Sequence, residues 1–175
     1  YEISPESFWQ GHKNAPLTLI NTAMDLMDLN IGDKVCDLYG GVGLFTMGIS
    51  ERIGENGYLH LVESDNYATK DARKIFKNHK NVLVRKGRVE KELPLVDSVD
   101  VILLDPPRNG AGSLVVDQMV SKNPRTIVYV SCDPASLARD TKLLLENNYS
   151  LDKIIAVDLF PMTHHIECIA KFIKT

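Results

Sequence analysis

The stretch VCDLYGGVGLFT, Val35 to Thr46, decides the fold, because it passes from a strand-like apolar run to a helix-like one across three glycines. Gly40, Gly41 and Gly43 follow the run directly. Glycine there lets the backbone turn tightly and come close to a ligand. The spacing departs from G-x-G-x-x-G, since Thr46 takes the place of the third glycine. Alone, such a loop can also be a plain strand-to-helix turn. A second feature favours a ligand: HLVESD carries Glu63 about 20 residues further on, where a carboxylate can accept both hydroxyls of a ribose. Together they point to an adenosine-containing molecule.

Working outward, apolar strand-like runs recur at residues 34–39, 58–63, 82–86, 99–105, 126–131, 153–159 and 167–173. Helix-like stretches lie at 16–27, 44–52, 67–78, 113–120 and 135–147. The alternation predicts an α/β domain, a doubly wound, Rossmann-like sheet of seven mostly parallel strands with helices on both faces. The last two strands are joined only by the turn FPMTHH, so they are expected to form an antiparallel hairpin. Ligands of such a sheet sit at the carboxyl ends of its strands. Because the final strand runs backwards, its first residue, Glu167, is expected at that same edge.

Three residues collect there. VILLDPPRNGAG ends the fourth strand at Asp105, with two prolines stiffening the exit and Gly110 and Gly112 turning the chain away. Asp-Pro-Pro can also be a simple strand terminator. IVYVSCDPASLARD ends the fifth strand at Cys132, between Ser131 and Asp133, just before a helix starting near Pro134. Helix N–H groups and the helix dipole are expected to favour a thiolate at that position, against the alternative of an inert packed thiol. Glu167 in THHIECIAKF is either a solvated strand start or a base. His164, His165 and Cys168 raise metal ligation, but neighbouring strand residues point to opposite faces and no second ligand pair follows, so no metal is expected. Cys36 and Cys168 read as core residues.

Composition bounds the rest. With 44% hydrophobic and 25% charged residues over 175 positions, the chain reads as one domain with a sizeable core. Apolar runs of about five or six residues fall far short of the roughly 20 of a spanning helix, so no membrane partner is expected. A net charge of -3 argues against a uniformly basic nucleic-acid coat and leaves room for a local basic cleft. Cysteines at 36, 132 and 168 form no C-x-x-C pair, which predicts a reducing, cytoplasmic setting. The start at Tyr1, without methionine or a signal pattern, predicts that residues 1–175 are a single domain cut from a longer protein.

The segments FWQ, DLYGGVG, the strand ending in Glu63, LLDPPRNGAG, YVSCDPASLARD and FPMTHHIEC, in this order, resemble the RNA uracil-5-methyltransferase family over nearly the whole chain. The cysteine and glutamate segments are specific to it, and the glycine loop is shared by many methyltransferases. The resemblance implies a class I methyltransferase catalytic domain that uses S-adenosylmethionine to methylate carbon 5 of uridine in RNA. Cys132 would be the nucleophile and Glu167 the base, with Asp105 orienting donor and base. Gln10, Tyr39, Gly41, Glu63 and Asp105 would contact the donor. His12, Leu44 and Arg88 depart from the family pattern, and the small β-barrel and RNA-binding region that members carry before this domain have no counterpart in these residues. The expected substrate is 23S ribosomal RNA, with transfer RNA as the alternative. Arg108 and Arg139 are weaker candidates for phosphate contacts.

Competing readings differ at single positions. Cytosine-5 methylation of RNA would call for a cysteine where DPPRNG stands, and amino-group methylation for an aromatic residue in place of Arg108. A donor-binding or RNA-binding module without catalysis would have no need of both Cys132 and Glu167.

Overall fold

The computed structural model describes residues 15–158 and 166–175, with the side chains of Ala15 and Pro16 left aside. In chain order the elements are α1 (Ala15–Met27), β1 (Lys34–Leu38), α2 (Leu44–Ile53), β2 (Tyr58–Glu63), α3 (Asn66–Ile75), β3 (Val82–Lys86), α4 (Val89–Glu92) running into a 3₁₀ turn (Leu93–Leu95), β4 (Val101–Leu104), α5 (Ser113–Ser121), β5 (Thr126–Ser131), α6 (Pro134–Glu146), β6 (Tyr149–Val157) and β7 (Glu167–Lys174). The strands form a seven-stranded sheet in the order β3-β2-β1-β4-β5-β7-β6. β1 to β5 pair in parallel, and β7 lies antiparallel between β5 and β6. The expected doubly wound sheet with a reversed final strand is thus present, and β7, the second strand of the pair, is the one that joins β5.

Two-residue periodicity divides the core. Leu38, Ile102, Leu104, Ile127, Tyr129 and Phe172 pack on one face with α5 and α6. Val35, Val101, Leu103, Val128 and Val130 pack on the other with α1 and α2. Both faces being covered, β4 and β5 are buried at every position, which is why they read as unbroken apolar runs. Among the described residues, no helix is long and apolar enough to cross a membrane.

Boundaries differ from expectation where the local pattern is weak. β1 stops at Leu38 because Tyr39 leaves it with φ 60. β4 starts two residues late: Asp100 is held outside it, its N–H donating to Lys34 O at 2.7 Å and its carboxylate accepting from Lys34 N at 2.8 Å. β6 begins at Tyr149, four residues early, since Asn148 with φ 62 turns the chain directly from α6 into the strand. α4 and the 3₁₀ turn are too short to show a period, yet they bury Val89 and Leu93. The turn FPMTHH lies outside the described residues, apart from the strands it joins.

The order of strands places the chemistry. The chain winds outward from β1 to β2 and β3, then crosses back to β4 on the other side of β1. This reversal opens a crevice above the carboxyl ends of β1 and β4.

Candidate active site

The glycine turn links β1 to α2 at this crevice. Gly43 caps α2 at φ 95, and a Cβ there would lie 2.3 Å from the Phe76 ring, so the position admits only glycine. Gly41 donates its N–H to Glu63 Oε2 at 3.0 Å, while Glu63 Oε1 accepts from Ser64 N at 2.5 Å and Asp65 N at 2.6 Å. Three backbone donors therefore fix this carboxylate at the end of β2. Glu63, Tyr39, Gly87, Arg88, Glu90 and Asn109 line one pocket, which runs from β2 to the loop after β4. A held carboxylate, aromatic side chain and exposed backbone suit the ribose and base of an adenosine donor. Burial and the charges of Glu90 and Asp140 push the Tyr39 phenol up to about 12, so it stays a neutral hydroxyl. Arg88 pairs with Glu90 at 3.0 Å on the pocket rim. Leu44 opens α2 half-buried. Gln10 and His12 lie outside the described residues.

Thr46 explains the departure from the glycine pattern. Its hydroxyl donates to Asp37 Oδ2 at 2.5 Å, inside the sheet edge under the turn. Asp37 is fully buried, and its Oδ1 has no hydrogen-bond partner among the described residues. Burial pushes this carboxyl up to about 7 despite the Thr46 bond.

The second half of the crevice gathers the reactive groups. The N–H of Asp105 donates to Leu38 O at 3.2 Å, which keeps Asp105 against the end of β1. Its carboxyl is pushed up to about 8 by burial, then by Glu167 and Asp37. Ser131 of β5 pairs with Cys168 of β7, so Cys132 and Glu167 are the adjoining residues at the same edge. Cys132 is half-buried rather than sealed in the core, and Glu167 is 8% exposed. Burial raises the Glu167 carboxyl, and the Arg108 guanidinium opposes it.

One expectation is corrected here. Helix α6 was expected to favour a Cys132 thiolate, but Asp133 takes its amino end, accepting from Ser136 N at 2.7 Å. Burial, Glu167 and Asp105 raise the Cys132 thiol, with Arg108 pulling the other way. The rim therefore holds this thiol above its ordinary range and does not favour a thiolate.

A network absent from the sequence reading holds the loop after β4. Asp140 Oδ2 accepts from Tyr129 Oη at 2.7 Å, Ala111 N at 2.8 Å and Gly112 N at 3.2 Å, and Tyr129 Oη also accepts from Ala111 N at 3.0 Å. Arg139 donates to Asn109 O at 2.6 Å and faces Asp140 Oδ1 at 3.4 Å. Arg139 thus helps to hold this loop while its side chain stays 57% exposed. A signal existed: Asp140 shares the buried face of α6 with Leu137 and Leu144, where an acid needs partners. Cys36 and Cys168 are buried, as expected. Among the described residues, no three His, Cys, Asp or Glu side chains could hold a metal; His164 and His165 lie outside them.

Comparison with known proteins adds sequence and fold relatives. Residues 84–174 match the model of a family described as tRNA (Uracil-5-)-methyltransferase. An RNA methyltransferase of Streptomyces avermitilis, itself uncharacterized, is 43% identical over 172 residues, covering 97% of this chain and 40% of the relative. One of Bifidobacterium longum is 36% identical over 184 residues, covering 99% and 42%. The chain therefore spans about two-fifths of the length of these relatives. The structure of Pyrococcus abyssi tRNA (uracil-54, C5)-methyltransferase in complex with S-adenosyl-L-homocysteine superposes with a TM-score of 0.83 at 30% identity, covering 99% of this chain and 42% of that one. A precorrin-6y C5,15-methyltransferase of Geobacter metallireducens, 13% identical with a TM-score of 0.79 over 100% and 94% of the chains, shares the fold.

Proposed function

Because the chain belongs to the tRNA (uracil-5-)-methyltransferase family, we propose that it methylates carbon 5 of a uridine in RNA with S-adenosylmethionine as donor. The observation that carries this reading is the meeting of Cys132, Asp105 and Glu167 at one edge of the adjacent strands β5, β4 and β7. The pocket walled by Glu63 and Tyr39 would hold the donor's adenosine next to them. Bound there, the donor supplies an electrophilic methyl group on a sulfonium.

Carbon 5 of uracil is a weak nucleophile. The Cys132 thiol would lose its proton to solvent and its sulfur would add to carbon 6, turning the ring into an enolate whose carbon 5 takes the methyl group and leaves the donor sulfur as a neutral thioether. Carbon 5 then still carries its hydrogen. Glu167 would remove that proton, and the electron pair left behind would re-form the 5,6 double bond and expel the sulfur. Its raised carboxyl makes it a stronger base near neutral pH than an exposed glutamate. Asp105 would orient donor and base, and Gly41 would hold Glu63 for the ribose. The uridine must leave its stack to be enclosed, which favours a loop or an otherwise accessible strand.

The test is RNA from cells fed 5-fluorouridine. Fluorine at carbon 5 cannot be removed as a proton, so a covalent RNA adduct should form on Cys132 and vanish in Cys132→Ala. Methylation by Cys132→Ala at the normal rate would overturn the mechanism. The expected substrate remains 23S ribosomal RNA, and the transfer RNA substrate named for the Pyrococcus neighbour favours the second reading. Mapping 5-methyluridine with and without the protein separates them.

A further inference from the structure

The charge on this chain is unevenly spread. Residues 66–86 hold seven of its 20 basic side chains and one of its 23 acidic ones, Asp71, so the surface elsewhere is acidic. Lys70, Arg73, Lys74 and Lys77 lie on or just beyond α3 and, together with Lys86 at the end of β3, line a shallow groove. All five are exposed, and none is joined to a carboxylate in an ion pair among the described residues.

The helix dipole accounts for only part of this. Arg73 and Lys74 occupy the last turn of α3, where cations are favoured. Lys70 stands a turn earlier and Lys86 on a strand, outside that influence. The opposite face of α3 buries Ala68 and Ala72, so the cations project from the solvent side as a row. Helical neighbours three or four apart are about 5–6 Å from each other, a spacing that lets successive side chains reach successive charges of an extended polyanion. Tyr67, 50% exposed, opens the same face and offers a ring for a base to stack on.

The groove also adjoins the donor pocket. Lys86 pairs with Glu63 in the β2–β3 register, and the next residue, Gly87, lines the pocket. We propose that the α3–β3 face is a second RNA contact, which grips the phosphate backbone of a single-stranded segment flanking the target uridine while its bases pass Tyr67. This rests on the RNA reading above. It also explains how a chain of net charge -3 can hold a polyanion: the contact is local, and the acidic remainder repels other approaches.

The test compares the full chain with the triple variant Lys70→Gln, Lys74→Gln, Lys77→Gln, all at exposed positions, by fluorescence anisotropy of a labelled uridine-rich single-stranded RNA across a salt series. Binding of S-adenosylhomocysteine, read by calorimetry, should be unchanged and reports that the variant is folded. At moderate salt RNA affinity should fall on the order of tenfold, and the slope of log affinity against log salt should drop by about 2, as for three lost phosphate contacts to a single strand. Tyr67→Ala should weaken binding without altering the slope. Unchanged affinity and slope in the triple variant would overturn the proposal. So would unchanged RNA binding with lost binding of poly-L-glutamate, which would assign the face to an acidic protein. The two readings fail separately: wild type without a fluorouridine adduct but with salt-steep binding through this face refutes the chemistry alone, and a normal adduct with an indifferent triple variant refutes the face alone.

Discussion

Cys132 directly follows Ser131 and Glu167 directly precedes Cys168, and Ser131 and Cys168 are register partners in the antiparallel pair β5–β7. A thiol and a carboxyl 35 positions apart in the chain therefore share one rim. Had the last strand run parallel, Glu167 would open at the opposite edge of the sheet.

This pairing makes Glu167→Gln informative. The variant should still add Cys132 to the uracil and transfer the methyl group, and should then stall. Turnover should fall roughly 10²-fold or more, the usual contribution of a general base, with a methylated RNA adduct accumulating on ordinary uridine RNA. Denaturing gels resolve the adduct, and its absence at reduced turnover would remove Glu167 from the elimination step.

Among the described residues, Arg108 is the one cation acting on both groups, lowering Cys132 and Glu167 against the push of burial. Because the thiol sits above its ordinary value, adduct formation should keep rising with pH through and beyond neutrality. Arg108→Gln removes the opposing charge, so the rise should move to higher pH. A pH–rate profile of single-turnover adduct formation checks both the direction and the shift.

Asp37 should leave a mark on stability. Its folded carboxyl titrates at about 7, against about 3.9 in an unfolded chain. Between these values the folded state holds the extra proton, so stability falls as pH rises through that window, on the order of a few kcal/mol in all. Below both values the term vanishes. Asp37→Asn cannot ionise, and its melting temperature should decline less than that of the parent between about pH 5 and pH 8.

Gly43→Ala should be severe. The new methyl group meets Phe76 at 2.3 Å, and φ 95 is unfavourable for any side chain. Overpacking and backbone strain together predict a loss of about 3 kcal/mol, measurable as a lower urea midpoint.

Asp140→Asn tests the support of the loop after β4. The amide keeps one acceptor but loses the charge that draws Ala111 N, Gly112 N and Tyr129 Oη together. S-adenosylhomocysteine affinity should fall roughly tenfold by calorimetry, the scale of a lost charged hydrogen bond of about 1.5 kcal/mol. Unchanged affinity would show that the loop keeps its place without this carboxylate.

Much of the architecture could be read from short-range pattern. Burial on both faces makes β4 and β5 continuous apolar runs, and the glycine turn and Glu63 announce themselves through residue type and spacing. Boundaries slipped where one residue with positive φ, Tyr39 or Asn148, ends or starts an element without any periodic cue. The α4 turn was missed because four residues cannot display a period.

Residue identity and order thus sufficed for the sheet class, the reversed last strand and the set of groups gathered at its edge, since these depend on side-chain type at regular intervals along the backbone. The state of those groups did not follow from order. Which way the Cys132 thiol is shifted depends on Asp133 capping α6 and on Glu167 and Asp105 sharing its desolvated rim, and the bond of Arg139 to Asn109 depends on a loop brought to it from 30 residues away. Electrostatic and hydrogen-bond energies follow distance in space and exclusion of water, and only the packed chain supplies both.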